Sequence, residues 1–323
     1  MTPELRAYIW PILFGVIPFT KGQTMINDRI TKLQKQYINI RKQCELLTHI
    51  QYASSRTLTE AHRIIENDVK RNDRQMDAFK DDDSPNLELL RHVLQSYSIF
   101  NRDVCYVQGM NDIVSSLILV FIDKNENSEF LFYGNPIKKT MIESESLIFW
   151  NFVGLMKLTQ QERVFTDLAE NQKFVLQRTA AIATAFHPPM KKLLESSELS
   201  ELSFLLRPFL LLFKRAFKEN SLFRLWDAVF TSDSPNCFLR FVGAAILIII
   251  FPKLLIHTNQ TLGEVMSFAD GFMETVSIET VLCLASLLVE KLERPHPLHD
   301  YVYEPIPPKD KLKEYVPKYV NLN

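Results

Sequence analysis

The scarcity of glycine is the feature that most restricts the folds open to this chain. The 323-residue sequence has eight glycines, whereas glycine usually makes up roughly 7% of a protein. Phosphate-binding loops of α/β nucleotide-binding folds need glycine, and so do the positive-φ turns of hairpin-rich β folds. We therefore expect an all-α protein.

The charge balance and the cysteine content argue against several classes of function. The 37 lysines and arginines nearly balance the 38 aspartates and glutamates, so we expect no general attraction to nucleic acid or to anionic membranes. The four cysteines stand far apart and form no CxxC motif, which argues against a zinc site or a disulfide framework and fits a reducing cytosol.

No segment predicts membrane insertion or secretion. The N-terminus lacks the long apolar core of a secretory signal. The apolar run from Phe241 to Phe251 is shorter than the about 20 residues of a membrane-spanning helix. We interpret this run as a buried core helix.

Apolar residues recur at helical spacing along most of the chain. Three sets are spaced as on one helical face: Leu87, Leu90, Leu94 and Tyr97; Leu202, Leu206, Phe209, Phe213 and Phe217; and Val281, Ala285, Leu288 and Leu292. Ser84 followed by Pro85 predicts the start of the helix that carries the first set. We expect roughly fourteen to sixteen helices, with strands minor at most.

Three segments interrupt the helical pattern. Residues 80–85 contain three consecutive aspartates, Asp81 to Asp83, which we interpret as a solvated turn rather than a site for a hard cation. Residues 123–143 contain the turn signal Gly134–Asn135–Pro136, and we place the division between two helical lobes there. Residues 293–323 are rich in proline and are predicted to pack on or flank a domain that spans residues 1–292.

Common catalytic signatures are missing from the sequence, including the P-loop, GxSxG and HExxH. His187 precedes two prolines at a predicted helix break. We interpret this histidine as structural rather than as a catalytic base.

Two polar segments remain as candidates. In the first, Asp68 and Arg71 lie three residues apart, so on a helix the carboxylate can orient the guanidinium; the alternative is a surface ion pair worth a few tenths of a kcal/mol. In the second, Gly109 permits a positive-φ bend, and the amide of Gln108 could bind a substrate or cap the following helix. A presented arginine and glutamine without a nucleotide site suggest assistance to phosphoryl transfer on another protein.

These segments resemble the TBC-domain Rab GTPase-activating proteins. The chain contains IxxDxxR at Ile65–Arg71 and then YxQG at Tyr106–Gly109. Shorter matches follow the family order at Arg6–Gly15, Phe149–Phe152 and Arg224–Asp227. Together the motifs span roughly three-quarters of the chain, and the ordered set is far more specific than any one of them.

The resemblance implies a two-lobed, all-helical TBC domain with an arginine finger at Arg71 and a glutamine finger at Gln108. The arginine would neutralise charge on the transferring phosphoryl group, and the glutamine would position the attacking water. GTP and Mg²⁺ would be carried by the partner GTPase, so the resemblance implies no cofactor of this chain's own.

Supporting roles follow from the same resemblance. Asp68, Tyr106 and Gly109 would orient the fingers and pack the turn. Arg74 would either face the GTPase or pair locally with Asp73 or Asp77.

Structural roles are expected for other motif residues. Trp10, Trp150 and Trp226 would be core aromatics, and Arg6 and Arg224 would pair with carboxylates such as Asp227.

Two positions depart from the family pattern. Asn72 stands where threonine is usual, a small polar replacement that should leave Arg71 presented. Pro208 stands where tryptophan is common, and a proline inside a helix costs about 3 kcal/mol or more. The local geometry of the second lobe is therefore open, whereas the finger segments are unaffected.

The expected function is activation of a Rab-family GTPase in vesicle trafficking, with no independent substrate turnover. The chain would be cytoplasmic and would reach endomembranes only through its lipidated partner. One alternative is a non-catalytic Rab-binding adaptor on a TBC scaffold, and another is a helical interaction scaffold unrelated to GTPases.

Overall fold

A computed structural model describes residues 1–20, 22–124, 130–134, 137–196, 202–257, 262–293 and 295–308. Helices dominate these ranges, so the prediction of an all-α protein is confirmed. The α-helices are α1 (Pro3–Leu13), α2 (Gln23–Leu46), α3 (His49–Ser54), α4 (Arg56–Arg71), α5 (Pro85–Phe100), α6 (Met110–Phe121), α7 (Met141–Leu158), α8 (Gln161–Thr166), α9 (Leu168–Phe186), α10 (Pro189–Ser196), α11 (Leu206–Leu210), α12 (Glu219–Thr231), α13 (Pro235–Leu254), α14 (Leu262–Met273), α15 (Ile278–Lys291) and α16 (His299–Tyr303).

The chain divides into two compact units. The first comprises Met1–Thr159 with Leu211–Pro235, and the second comprises the described residues of Gln160–Leu210 and Asn236–Asn323. The described residues of the segment 123–143, where the sequence placed the division, lie inside the first unit. The reason is that α7, which follows this segment, packs against α2, α5 and α6.

Helix α5 lies at the centre of the first unit and contacts α2, α4, α6 and α7. Its predicted face is buried throughout, with Leu90, Leu94 and Tyr97 fully inaccessible to solvent. Ser84 caps the helix, because its side chain accepts a hydrogen bond from the backbone N–H of Asn86 at 3.4 Å. The predicted helix start at Pro85 is therefore confirmed.

A small antiparallel sheet occupies part of the segment predicted as a loop. Its strands are β1 (Ile122–Lys124), β2 (Phe130–Phe132) and β3 (Lys138–Lys139), in the order β1-β2-β3. Ile122 pairs with Phe132, and Phe130 pairs with Lys139. Strands this short produce no alternation long enough to recognise in the sequence. Residues 125–129 and 135–136 lie outside the described residues.

Helices α1 and α12 are joined by a buried ion pair. The Asp227 carboxylate accepts hydrogen bonds from Arg6 Nη2 at 2.9 Å and from Trp10 Nε1 at 3.1 Å. Trp10 and Trp226 are fully buried, while Trp150 is half-buried and donates to the Leu33 carbonyl at 2.9 Å. The expected pairing of Arg6 with Asp227 is confirmed.

Helix α13 is a largely buried helix of the second unit. This is the single described helix that is long and apolar enough to cross a membrane, with a mean hydropathy of 2.1. However, 72% of its apolar window is buried inside the protein, which is how a core helix lies. The predicted core run 241–251 is thus the middle of a longer buried helix.

The apolar series from Leu202 to Phe217 does not form one helix, contrary to the expectation. A 3₁₀ turn, Ser203–Leu205, leads into the five-residue α11, after which the backbone turns. Pro208 is the third residue of α11, where a backbone N–H has no intrahelical acceptor, so the proline removes no helical hydrogen bond.

Residues 295–308 pack on the second unit. Helix α16 contacts α9, and Val302 and Ile306 are buried. Arg163 also donates a hydrogen bond to the Ile306 carbonyl. The remainder of the predicted extension, residues 309–323, lies outside the described residues.

Candidate functional site

Arg71 is the last residue of α4. The buried face of this helix contains Ile65 and Val69, and Asp68 lies on it as well. Arg71 Nη2 donates to Asp68 Oδ1 at 2.6 Å, yet 63% of the Arg71 side chain is exposed while the Asp68 side chain is 2% exposed. The predicted pair therefore forms, with its carboxylate buried and its guanidinium facing solvent.

The second oxygen of Asp68 is held by Tyr106. The Tyr106 hydroxyl donates to Asp68 Oδ2 at 2.6 Å, so the two carboxylate oxygens bind different partners. Burial raises the pKa of Tyr106 far above its ordinary value, and the hydrogen bond to Asp68 and the negative charge of Asp68 raise this pKa further. The phenol consequently remains a donor at physiological pH, and it ties the end of α4 to the segment before α6.

Gly109 forms the bend that precedes α6. Its φ of 105° lies in the left-handed region that glycine adopts without strain. The Gly109 N–H donates to Asn111 Oδ1 at 3.2 Å, and Asn111 Nδ2 donates to Asn72 Oδ1 at 2.8 Å. The bend is therefore fixed to the residue that directly follows Arg71.

Gln108 stands at this bend with its side chain exposed. Within the described part of the chain, no hydrogen bond involves its carboxamide, and no side chain caps α6. The open alternative from the sequence, that Gln108 caps the helix, is therefore wrong. The carboxamide keeps its donors and its acceptor available to solvent.

Arg74 binds locally, although not to the predicted partners. Its Nη1 donates to the carbonyls of Phe79 at 2.9 Å and of Asp81 at 3.3 Å, and its Nη2 pairs with Asp82. Asp73 instead pairs with cations from the 211–216 turn. Arg74 thus fastens residues 79–82, which are part of the connection between α4 and α5.

Sequence reasoning missed a cluster of charges beside the two finger segments. We name it the clamp: Asp73, Asp112, Lys214 and Arg215. Lys214 pairs with Asp73, and Arg215 pairs with Asp112. Burial alone would raise the pKa of Asp73, but the positive charges of Lys214 and Arg215 outweigh it and hold this pKa below its ordinary value. The sequence does show Lys214 and Arg215 side by side in an otherwise apolar stretch. That pattern does not identify the carboxylates with which they pair.

The other candidate positions have structural roles. His187 ends α9, and its ring packs on Phe251 at a centroid distance of 4.5 Å. The Asp82 side chain is 97% exposed, as expected of a solvated turn. Within the described residues, no group of three histidine, cysteine, aspartate or glutamate side chains could hold a metal ion.

Arg71 and Gln108 offer two kinds of hydrogen-bonding group on neighbouring segments. The Arg71 guanidinium is fixed at one nitrogen by a buried carboxylate and keeps its other N–H groups for an external anion. The Gln108 carboxamide can both donate to and accept from a water molecule. The two belong to segments joined by the Asp68–Tyr106 and Asn72–Asn111 hydrogen bonds.

Comparison with known proteins gives one family. The model of the Rab-GTPase-TBC domain family matches residues 3–255. TBC1 domain family member 17 of Homo sapiens is 27% identical over 301 residues, which is 92% of this chain and 43% of that protein. The GTPase-activating protein gyp7 of Schizosaccharomyces pombe is 26% identical over 298 residues, which is 87% of this chain and 36% of that protein. The chain therefore spans less than half the length of these curated relatives.

Among solved structures, the Ypt/Rab-GAP domain of Gyp1p is similar with a TM-score of 0.71 and 18% identity. The likeness covers 90% of this chain and 88% of that one. At this level of identity, the similarity shows a shared fold.

Proposed function

Because this chain belongs to the Rab-GTPase-TBC domain family, we propose that it stimulates GTP hydrolysis by a Rab-family GTPase through Arg71 and Gln108. Both side chains act in trans on a nucleotide that the partner holds. The chain itself turns over no substrate, and GTP and Mg²⁺ belong to the partner's phosphate-binding loop.

The proposal rests on the pairing and the solvent exposure of Arg71. Its guanidinium is held by a buried carboxylate and yet 63% of the side chain is exposed. Such an arginine has a restricted orientation, and its free N–H groups can meet the charge that develops on a transferring phosphoryl group. An arginine finger is worth about 10³ to 10⁵ in rate, which corresponds to about 4 to 7 kcal/mol of barrier.

Gln108 supplies the second group. Its exposed carboxamide accepts from the attacking water and donates to the γ-phosphate, which orients the water for in-line attack. Gln108 directly precedes the left-handed residue Gly109 at the bend before α6, and its side chain is exposed. Asp68, Tyr106 and Asn111 then hold the two fingers relative to each other.

The proposed setting follows from the partner. Rab GTPases act in vesicle trafficking, and their lipid anchors would bring a cytoplasmic activator to endomembranes. No membrane insertion of this chain and no nucleic acid enter the proposal.

Single-turnover GTP hydrolysis by a panel of purified Rab GTPases tests the proposal. Arg71→Ala and Gln108→Ala are each expected to lower the stimulated rate at least about a hundredfold, with rates measured at a temperature where urea unfolding shows each variant to be folded. Arg63→Ala is the matched control, because Arg63 is an exposed arginine of the same helix that pairs with Glu60 on the surface. Full stimulation by the Arg71→Ala protein would rule out the arginine-finger mechanism.

A second measurement separates an activator from a non-catalytic adaptor. GDP with aluminium fluoride mimics the transition state of phosphoryl transfer, and an activator binds that form more tightly than the GTP form. An adaptor gains nothing from the mimic. We expect tighter binding for the wild type and loss of this gain in Arg71→Ala.

A further inference from the structure

Lys214 and Arg215 are consecutive residues that reach two carboxylates on different segments. Lys214 Nζ donates to Asp73 and to the Ser115 hydroxyl, and lies 3.4 Å from Asp112 Oδ1. Arg215 Nη2 donates to Asp112 and lies 3.0 Å from Asp73 Oδ1, a charge contact without the alignment of a hydrogen bond. Each cation therefore contacts both carboxylates.

The two carboxylates of the clamp lie close in sequence to the two finger residues. Asp73 follows Arg71 by two residues, and Asp112 follows Gln108 by four. The Ser115 hydroxyl on α6 also donates to Asp73 Oδ2 at 2.8 Å. One ionic cluster thus fastens the backbone directly behind both fingers.

The backbone that presents the two cations is strained. Leu212 and Phe213 have φ values of 49° and 65°, a left-handed conformation that bulky residues rarely adopt. Both side chains are buried, and Trp226 Nε1 donates to the Leu212 carbonyl at 2.8 Å. Such strain persists where the surroundings determine the conformation, and it concentrates at functional sites.

Charge and burial distinguish the clamp from a surface ion pair. The side chains of Asp73 and Lys214 are 1% and 7% exposed, whereas Arg215 is 30% exposed. Two carboxylates and two cations neutralise one another, so the clamp itself offers no free charge for an ion. What remains is control over the position of the segments it joins.

We propose that Lys214 and Arg215 are positioning residues that hold Arg71 and Gln108 at the spacing required for hydrolysis, by clamping Asp73 and Asp112 together. The inference rests on the proposed function of the two fingers. Loosening the clamp leaves both fingers in the chain but lets their separation vary. Misplacement of a catalytic group by about 1 Å costs on the order of a hundredfold in rate.

Steady-state activation kinetics with Arg215→Gln and Lys214→Met test this role. We expect kcat for stimulated hydrolysis to fall about tenfold to a hundredfold, while KM for the GTP-bound GTPase changes less than about threefold, because neither residue binds the nucleotide. Arg215→Lys keeps a cation against Asp112 and is expected to recover most of kcat. An unchanged kcat in Arg215→Gln, or a fall in Arg215→Lys as large as in Arg215→Gln, would overturn the positioning role.

Arg6→Gln is the control for lost stability. Arg6 forms a buried ion pair with Asp227 in the same unit, but this pair joins α1 to α12 and contains no residue of either finger segment. Below its unfolding transition, Arg6→Gln is expected to keep the wild-type kcat even where it lowers the urea midpoint as much as Arg215→Gln. An equal loss of kcat in Arg6→Gln would show that any buried ion pair matters and would overturn the specific role of the clamp.

Hydrogen exchange on the isolated protein provides a readout that needs no GTPase. Arg215→Gln is expected to speed amide exchange at least about tenfold in residues 72–74 and 106–112, with little change in α2. Unchanged exchange in both segments would overturn the clamp. If Arg71→Ala keeps full stimulation, the proposed function fails instead; if Arg71→Ala is inactive and Arg215→Gln has the wild-type kcat, only the clamp fails.

Discussion

The two units bury charge in contrasting ways. In the first, the clamp balances two carboxylates with two cations, and Arg71 beside it remains largely exposed. In the second, Arg178 and Arg240 are both fully buried. Arg178 pairs with Glu304, and Arg240 donates to the backbone carbonyls of Val302 and Glu304.

The second unit's arginines attach a segment rather than present a group. Arg178 lies over the ring of Tyr301 at 4.3 Å, so the segment 301–304 contributes a ring, a carboxylate and carbonyls to these two guanidiniums. Burial lowers the pKa of Arg240 to about 10, and the group stays protonated at neutral pH. Neither guanidinium has a surface for an external ligand.

The contrast between Arg71 and Arg178 indicates which properties an arginine needs in order to act on another molecule. Arg71 is anchored at one nitrogen and exposed over most of its side chain, whereas Arg178 has no exposed surface. Anchoring restricts the orientation, and exposure keeps donors available. An arginine with only the first property stabilises the fold.

The largest expected effect tests this contrast directly with the same substitution at both sites. Arg71→Lys keeps the charge but loses the planar fork, so we expect stimulated hydrolysis to fall at least about a hundredfold with an unchanged unfolding midpoint. Arg178→Lys is expected to lower the unfolding midpoint and to leave hydrolysis at the wild-type rate. Single-turnover hydrolysis and urea unfolding check both, and a loss of hydrolysis in Arg178→Lys at a temperature where it is folded would break the comparison.

Glu304→Ala gives the next largest effect, on stability alone. Removing one partner of a fully buried ion pair costs about 3 to 5 kcal/mol because the remaining charge is uncompensated. Glu304 is 37% exposed, so solvent screens part of this loss, and we expect about 2 kcal/mol in the free energy of unfolding by urea.

Hydrolysis stimulated by the folded Glu304→Ala protein should equal the wild-type rate. The matched control is Glu60→Ala, since Glu60 pairs with an exposed arginine on the surface of α4. Equal stability of the Glu304→Ala and wild-type proteins would contradict the attachment role of the buried arginines.

Sequence reasoning succeeded where local rules decide the structure. The three-residue spacing of Asp68 and Arg71 on a helix is sufficient to predict their contact. The bend at Gly109 followed from the conformational freedom of glycine. The buried face of α5 followed from apolar periodicity.

The features that the sequence did not predict depend on contacts between residues far apart in the chain. Lys214 and Asp73 are 141 residues apart, and Arg178 and Glu304 are 126 apart. No local pattern identifies such partners. The series Leu202 to Phe217 was wrongly interpreted as one helix for a related reason: apolar spacing does not reveal that α11 ends at Leu210 or that Leu212 and Phe213 beyond it are left-handed.

Tyr106→Phe sharpens the comparison within the first unit. The change removes the hydroxyl that holds Asp68 Oδ2 and leaves the rest of the ring. A hydrogen bond to a charged group contributes about 1.5 to 3 kcal/mol, so we expect a loss near the lower value in urea unfolding.

The rate should respond to the same change. With Asp68 less constrained, stimulated hydrolysis is expected to fall about tenfold, less than for removal of a finger. Tyr8→Phe is the control, because Tyr8 is 46% exposed on α1 and belongs to neither finger segment. A Tyr106→Phe protein with the wild-type rate would show that Asp68 orients Arg71 without help from the phenol.

The smallest effect concerns pH. Lys214 and Arg215 outweigh burial and hold the pKa of Asp73 below its ordinary value, which is about 3.9 in an unfolded chain. A carboxyl whose pKa is lower in the folded state stabilises the fold above its unfolded pKa, and this stabilisation is lost as the pH falls through the folded pKa. From pH 8 to pH 5, therefore, titration of Asp73 should leave the free energy of unfolding unchanged.

Below about pH 4, the pH dependence of the free energy of unfolding should differ between a variant of the clamp and a variant of the second unit's buried arginines. Wild-type stability is expected to fall as Asp73 takes up a proton, whereas Asp73→Asn, which has already lost the charge, starts less stable and declines less steeply. Arg240 stays protonated throughout this range, because its pKa is lowered only to about 10, so Arg240→Leu should decline as steeply as the wild type. Urea unfolding at pH 7, 5, 4 and 3 compares the three slopes, and parallel curves for Asp73→Asn and the wild type would show that the clamp carboxylate contributes nothing to acid sensitivity.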